Sequence, residues 1–271
     1  MIQVTQNVYV ESGIKACNLG LITTKEGIVL VDVPIGPSDA VKWREEALKR
    51  GNLRYLINTE EHADHSQNSF FFPGVLITSQ PTRERLAKES PDEVLKRVQR
   101  MDPAGLPLMK DFRLRLPDVT FTGGLNLYLG DHTIRLFQLQ GHSAGGIAVY
   151  LPEERVVFTT DCVFHRVKSW LHESNPDHWF DSLRRLGELD VDVIVPGHGE
   201  LCKKDYLEEQ AHIIRQWVEL VKSAIGKGWS VEEAFQRITQ PDPYPKQPGT
   251  PMTEEELNRA IIKRLYSFYK P

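Results

Sequence analysis

Apolar and polar residues alternate, or apolar residues form short runs, in three segments near the start of the chain. The segments are 4–10, 18–23 and 27–33, and turns that contain glycine separate them. A period of two is typical of β-strands, and short turns between strands predict a meander. A helical pattern then ends at Gly51, and an apolar strand over 54–59 runs directly into an acidic and histidine-rich segment.

A second strand-rich block follows a stretch over 80–117 that is predicted to be helical, with breaks at its prolines. Its predicted strands are 119–122, 125–129, 133–139, 147–151 and 156–160. A helix to about Leu189, a strand over 191–195 and a mostly helical remainder complete the chain. Strands, helices, strands and helices in this order predict an α/β protein in which helices flank two stacked sheets. The hairpin-like spacing favours antiparallel or mixed sheets over a doubly wound parallel sheet.

Composition and charge narrow the function classes. The chain has 271 residues and a net charge of −4, with both signs interleaved, which argues against a nucleic-acid partner. Its longest apolar runs are far below the roughly 20 residues that a membrane span requires, and its start has no secretory-signal pattern. Cys17, Cys162 and Cys202 are widely spaced and odd in number, so a disulfide framework is not expected. These features predict a soluble, cytoplasmic protein.

Four of the nine histidines share a context, because each follows a predicted strand and lies within two residues of glycine, aspartate or another histidine. Acidic residues occupy the same strand ends. The set comprises His62, His65, His142 and His198, together with Glu60, Asp64 and Asp161. Loops at strand ends often carry functional groups on a rigid scaffold. Imidazole and carboxylate together suit divalent zinc, iron or manganese, so the set predicts a metal site.

In these residues the chain resembles the metallo-β-lactamase superfamily. The signature of that family is HxHxDH, then a distant histidine after glycine, an aspartate after a strand and a last Gly-His pair. The corresponding elements stand here in the same order as Glu60-x-His62-x-Asp64-His65, Gly141-His142, Asp161 and Gly197-His198. The resemblance covers residues 1 to about 200 and implies an αββα sandwich of two mixed β-sheets flanked by helices. One position departs from the signature, since Glu60 replaces its first histidine.

The resemblance also implies a site for two divalent metal ions. Two sets of three side chains would hold them: Glu60, His62 and His142 for the first ion, and Asp64, His65 and His198 for the second. Asp161 would bridge the two ions, opposite a bridging water. In hydrolytic members the carboxylate at the position of Asp64 also orients the water or carries a proton, so Asp64 is the expected catalytic residue.

The function that the resemblance implies is hydrolysis of a small molecule. A metal-bridged hydroxide would attack an ester, thioester, lactone or lactam carbonyl. An iron-dependent oxidoreductase on the same fold is the alternative, although no flavodoxin-like domain follows residue 200. A non-catalytic binding protein that retains the fold is a third class. The fold itself does not select among these reactions or substrates.

Glu60 changes the expected charge of the site. Two divalent ions carry four positive charges, and an ordinary ligand set with a bridging hydroxide carries three negative ones. Ionised Glu60 adds a fourth, which would raise the pKa of the bridging water. The family favours zinc, whereas the harder carboxylate shifts the preference toward iron or manganese. Two other interpretations stay open: Glu60 points to solvent and leaves the first site weakly filled, or the protein has kept the second site and lost hydrolytic power. Glu61 is expected to face outward as a non-ligand.

The predicted domains are a metallo-β-lactamase-like domain over 1–202 and a helical extension over 203–271 that packs on it. The extension is interpreted as a structural cap or, alternatively, as a substrate-binding element. The helical insertion at about 80–117 is interpreted as a lid or as a dimer contact, so a homodimer stays open. His165 and His172, after Asp161, are candidates for substrate contact. Cys162 is expected in the core, because neighbouring side chains on a strand point to opposite faces.

Overall fold

The first of two main sheets contains the strands nearest the start of the chain, in chain order across the sheet. In this computed structural model, which describes residues 1–15, 17–247, 250 and 252–270, these strands are β1 (Ile2–Gln3), β2 (Val8–Glu11), β3 (Leu19–Thr24), β4 (Gly27–Val31), β5 (Leu53–Ile57), β6 (Val75–Ser79) and β7 (Val119–Phe121). Strands β1 to β4 form the predicted antiparallel meander, whereas β4 to β7 run parallel. Parallel neighbours need crossover connections, which here are helical.

The second main sheet is also mixed. Its strands are β8 (Gly124–Leu129), β9 (His132–Gln138), β10 (Ile147–Leu151), β11 (Val156–Phe158) and, after the short strand β12 (Phe164–His165), β13 (Val193–Val195). Their order is β13-β11-β10-β9-β8, with only the β11–β13 pair parallel. β12 pairs with β14 (His198–Gly199) in a small separate sheet.

The helices lie between and after these strands. They are α1 (Pro37–Leu48), α2 (Ala63–Ser66), α3 (Gln80–Leu86), α4 (Pro91–Met101), α5 (Pro176–Gly187), α6 (Tyr206–Gly226), α7 (Val231–Arg237) and α8 (Glu254–Tyr269), with short 3-10 helices at Ser69–Phe71, Pro103–Met109 and Thr160–Cys162. Local sequence explains several starts: proline occupies the first turn of α1, α3, α4 and α5, and capping boxes begin α7 and α8. Within the described residues, none of these helices combines the length and the apolar character of a membrane span.

The two sheets pack face to face. Alternate apolar residues from both, such as Val29 and Ile57 of the first sheet and Leu136 and Val149 of the second, form one buried cluster between them. Helix α1 covers the outer face of the first sheet through Trp43 and its neighbours, and α5, α6 and α8 cover the second sheet. The architecture is therefore the predicted αββα sandwich. The C-terminal helices share their core with the second sheet, and the domain division at residue 202 stays a prediction.

Strand direction brings the functional segments to one edge of the sandwich. Strands β4 and β5 end at that edge of the first sheet, before Asp32 and before the segment 58–65. Strands β9, β11 and β13 end there in the second sheet, before His142, Asp161 and His198. The predicted strand over 156–160 ends earlier, at Phe158, because Thr160 adopts a positive φ of 48° and begins a 3-10 turn.

Candidate metal centre

The first group of donors consists of Glu60, His62, His142 and Asp161, whose ligand atoms all lie within 4.8 Å of one another. His62 Nδ1 contacts Glu60 Oε1 directly. His142 Nε2 lies 3.6 Å from Glu60 Oε1 and 3.5 Å from Asp161 Oδ2. Three different loops thus bring one carboxylate oxygen and two ring nitrogens to a common point, with Asp161 beside them.

Asp64, His65 and His198 form the second group. His198 Nε2 lies 3.3 Å from Asp64 Oδ2 and 3.3 Å from Asp161 Oδ1, and His65 Nε2 also lies 3.3 Å from Asp161 Oδ1. Asp161 therefore directs one carboxylate oxygen to each group. All seven site residues expected from the sequence are together, in the grouping that the resemblance implied.

Glu60 does not point to solvent, so that interpretation of its role was wrong. Its side chain is completely buried, with Oε1 among the histidine nitrogens and Oε2 accepting a hydrogen bond from Ser143 Oγ at 3.1 Å. Burial raises the pKa of the Glu60 carboxyl, but the adjacent His62 and His142 rings lower it below its ordinary value. The carboxylate form of Glu60 is thus the one that suits this environment.

The carboxylates make the centre strongly attractive to positive charge. Burial lowers the pKa of His198, but Asp161 and Asp64 outweigh burial and raise it to about 10. His65 also has its pKa raised well above the usual range, since Cys17, Asp32 and Asp161 oppose the effect of burial. Protons and metal ions compete for such nitrogens, so metal binding here is expected to release protons.

Two buried atoms at the meeting point of the groups, His65 Nε2 and Asp161 Oδ1, have no hydrogen-bond partner among the described residues. Unsatisfied buried polar atoms are uncommon in native proteins and call for an explanation such as an ion. The donors are imidazole nitrogens and carboxylate oxygens, which are ligands of divalent zinc, iron and manganese. The residues present therefore fit a pair of divalent cations.

A second layer of contacts orients the histidines. Asp32, which was not among the residues predicted from the sequence, accepts a hydrogen bond from His65 Nδ1 at 2.8 Å and thereby leaves Nε2 as the nitrogen that can bind metal. Asp32 is itself held by the backbone N–H and the hydroxyl of Thr59, at 2.7 and 2.6 Å. The Trp170 carbonyl accepts from His142 Nδ1 at 2.7 Å in the same way. The signal for Asp32 was a carboxylate within the apolar run 27–33.

Asp32→Asn is expected to weaken binding at the second group by about 10–100-fold, because the amide cannot hold the same tautomer of His65 with a charge-assisted bond. Competition with a metallochromic chelator measures the affinity of each equivalent. Asp39→Asn, a half-exposed position on α1, is the matched control and should leave both affinities unchanged. Equal affinities in Asp32→Asn and the wild type would show that Asp32 does not orient His65.

Glu61 corrects an expectation. It was predicted to face outward, but it is buried, and its Oε2 accepts hydrogen bonds from Thr82 Oγ1 at 3.2 Å and Ser143 Oγ at 3.4 Å. The segment after β5 is a series of bends rather than a strand, so strict alternation of side chains does not apply. Glu61 belongs to none of the donor groups found among the described residues, which agrees with its assignment as a non-ligand.

The two histidines that were candidates for substrate contact differ in position. His172 lines the cavity over the metal centre, and burial together with His142 and His62 lowers its pKa to about 4. His165 is not part of the cavity lining; its Nδ1 donates to the Glu200 carbonyl at 2.9 Å and its ring packs on Tyr206. Cys162 lies in the core, as expected, although on a 3-10 turn rather than a strand.

A cavity of about 240 Å³ opens over the two donor groups. Side chains from both groups form its floor, and the walls come from the insertion helix α4, from the loop before β3 and from the segment before α8. The lining residues are Lys15, Ile35, His62, Ala63, Asp64, Arg97, Arg100, Met101, His142, Asp161, Trp170, His172, His198, Gln247 and Thr250. This volume suits a small molecule, so the centre is accessible to a substrate of that size.

The fold and the donor groups together define an αββα protein with a candidate two-metal centre. The chain belongs to the Metallo-beta-lactamase superfamily, whose family model matches residues 13–198. This match confirms the family and the fold class expected from the sequence.

Individual relatives agree with that placement. Hydroxyacylglutathione hydrolase from Brucella ovis is 36% identical to this chain over 95 residues. The matched residues make up 35% of this chain and 35% of the relative, so the match spans about a third of the relative's length. A metallo-beta-lactamase from Pontibacter korlensis is 19% identical with a TM-score of 0.61, over 79% of this chain and 97% of that one. A metallo-beta-lactamase family protein from Thermus thermophilus is 17% identical with a TM-score of 0.71, over 98% and 94%. At these identities the two structures bear on the fold alone.

Proposed function

We propose that this chain is a dinuclear metal-dependent hydrolase that cleaves an ester, thioester, lactone or lactam bond in a small molecule. The observation that supports the proposal best is the position of Asp161, which directs one oxygen toward each donor group. Two ions that share a carboxylate lie close enough to act on one substrate together. The name of the Brucella relatives, hydroxyacylglutathione hydrolase, supports hydrolysis of an acyl compound.

The geometry of the two donor groups supports the following assignment of metal ligands. In the proposal Glu60, His62 and His142 would hold one ion, Asp64, His65 and His198 would hold the other, and Asp161 would be a ligand shared by both. Bound divalent ions would polarise the scissile carbonyl and make water a better nucleophile. Asp32 and the Trp170 carbonyl orient the rings of His65 and His142, which would hold the ions.

Asp64 is the proposed proton carrier. It lines the cavity, and 28% of its side chain is exposed, whereas Glu60 and Asp161 are almost completely buried. Its carboxylate can accept a proton from the attacking water and return it to the leaving group. A cytoplasmic location and a homodimer remain predictions.

The carboxylate-rich first group favours a second candidate, an iron-dependent oxidoreductase on the same fold. Glu60 is buried within the donors and adds a hard oxygen ligand, which suits iron or manganese better than imidazole does. Metal analysis of purified protein distinguishes the two. Zinc alone, with hydrolytic turnover, would exclude the oxidoreductase.

Metal removal and reloading tests the hydrolase. Protein stripped with a chelator should lose turnover, and reloading with zinc, manganese or ferrous iron should restore it for at least one compound in a panel of esters, thioesters, lactones and lactams. Restoration should be complete near two equivalents per chain, because both donor groups are needed. If reloaded protein hydrolysed nothing in the panel, the proposed function would be wrong.

A further inference from the structure

The cavity over the metal centre has an uneven distribution of charge. Its acidic lining residues, Asp64 and Asp161, both belong to the donor groups. The remaining lining is cationic at Lys15, Arg97 and Arg100, with an apolar wall beside them. Once the carboxylates of the floor hold metal, the described part of the lining offers positive charge and apolar surface to a ligand.

Helix α4 supplies two of the three cations. Arg97, Arg100 and Met101 are three and four residues apart, so they lie on one face of the helix, and all three line the cavity. Another face of α4 is apolar and packs against the protein. Its residues Val94 and Val98 are buried in a small cluster with Met109 and its neighbours. The packing of that cluster fixes which face of α4 meets the cavity.

Arg97 is already engaged by the protein. Its guanidinium contacts Gln67 Oε1, just after α2, and pairs with Glu89 at 2.7 Å, so it ties α4 to the metal-binding segment. Lys15 and Arg100 differ from it. Both are exposed, and none of the ion pairs or hydrogen bonds found among the described residues involves either of their side chains. Two cations at the mouth of the cavity are thus available to a ligand.

We propose that Lys15 and Arg100 form a subsite for a carboxylate at the distal end of the substrate. This subsite rests on the proposed hydrolase function, since it names the class of acyl compound that the same centre accepts. The apolar part of such a compound packs against Trp170 and Met101, and its scissile carbonyl lies toward Asp161. A guanidinium binds carboxylate with paired, charge-assisted hydrogen bonds, and the lysine in the lining of the same cavity adds a point charge.

A matched pair of thioesters tests the subsite: the acetyl thioester of mercaptohexanoic acid and that of its uncharged amide. Metal-loaded wild type should prefer the carboxylate in kcat/KM by about tenfold or more, and salt should reduce the preference. Arg100→Gln and Lys15→Gln should each lower kcat/KM for the carboxylate far more than for the amide and so remove most of this preference. Lys96→Gln, on the same helix but paired with Glu93 outside the cavity, should keep it.

The outcomes separate the subsite from the hydrolase itself. Equal kcat/KM for the two thioesters, or an equal loss on both in Arg100→Gln, would overturn the subsite while leaving the hydrolase intact. If neither thioester nor any other panel compound is cleaved, the hydrolase fails, and equilibrium binding of the same pair replaces turnover. Tighter binding of the carboxylate that Arg100→Gln abolishes would still support the subsite, and equal binding would overturn it.

Discussion

Asp64→Asn is expected to lower kcat by about 10²–10⁴-fold, the usual contribution of a positioned proton carrier. Asparagine has almost the same shape and keeps an oxygen that can face the second metal, but its amide cannot take up a proton. Asp64 is less buried than Glu60 and Asp161, with Oδ2 3.3 Å from His198 Nε2, and it lines the cavity. Steady-state kinetics on a panel compound that the wild type hydrolyses measures the loss.

Metal content must be separated from proton transfer in this variant, because Asp64 belongs to the second donor group. The assay is therefore repeated at rising metal concentration, with bound metal determined in parallel. The deficit in kcat should persist when both groups are filled. Full recovery by excess metal would reduce Asp64 to a ligand, and Asp177→Asn, an exposed aspartate in the first turn of α5, controls for the loss of a charge.

Much of the centre could be predicted because its motif is local. His62 is the N-cap residue of α2, and Asp64 and His65 lie within that helix, so one short segment delivers three donors. Strand direction then brings His142 and His198 to the same edge. The family signature captures this order, and the apolar strands before each motif predict the scaffold.

The features of the site that were predicted wrongly or not at all depend on contacts between distant segments. The burial of Glu61 depends on Thr82, 21 residues away, and on Ser143, 82 residues away. The role of Asp32 depends on His65, 33 residues away, and its own position has a φ of 61°, which no local pattern predicts. The periodicity of a single sequence indicates which residues share a face of one helix or strand. It does not indicate which residues from distant segments will contact each other.

The same limit explains the two histidines after Asp161. His165 lies on β12, where pairing with β14 turns it toward Tyr206, whereas His172 follows the loop and reaches the cavity. Both stand in a similar sequence environment, so the sequence left both as candidates for substrate contact and could not separate them. Lys15 and Arg100 were missed because an exposed cation has no distinguishing pattern until the cavity is known.

Glu60→Gln is expected to reduce the bound metal from two equivalents per chain to about one. Glu60 Oε1 contacts His62 Nδ1 and lies 3.6 Å from His142 Nε2, so the substitution removes a charged donor from the first group. The effect should exceed the roughly 10–100-fold loss of affinity that follows removal of an outer contact. Metal analysis after dialysis against metal-free buffer measures the stoichiometry.

The adjacent Glu61 offers a stringent control, because it is also a buried glutamate but turns toward Thr82 and Ser143. Glu61→Gln should keep two equivalents of metal, so a loss there and none in Glu60→Gln would reverse the assignment of ligand and non-ligand.

Glu60→His restores the residue of the family signature and should also keep two equivalents of metal. Because imidazole is a softer donor than carboxylate, that variant should shift the metal preference from iron or manganese toward zinc. If wild type and Glu60→His bound the same metal with the same affinity, Glu60 would not set the metal preference, even if it is a ligand.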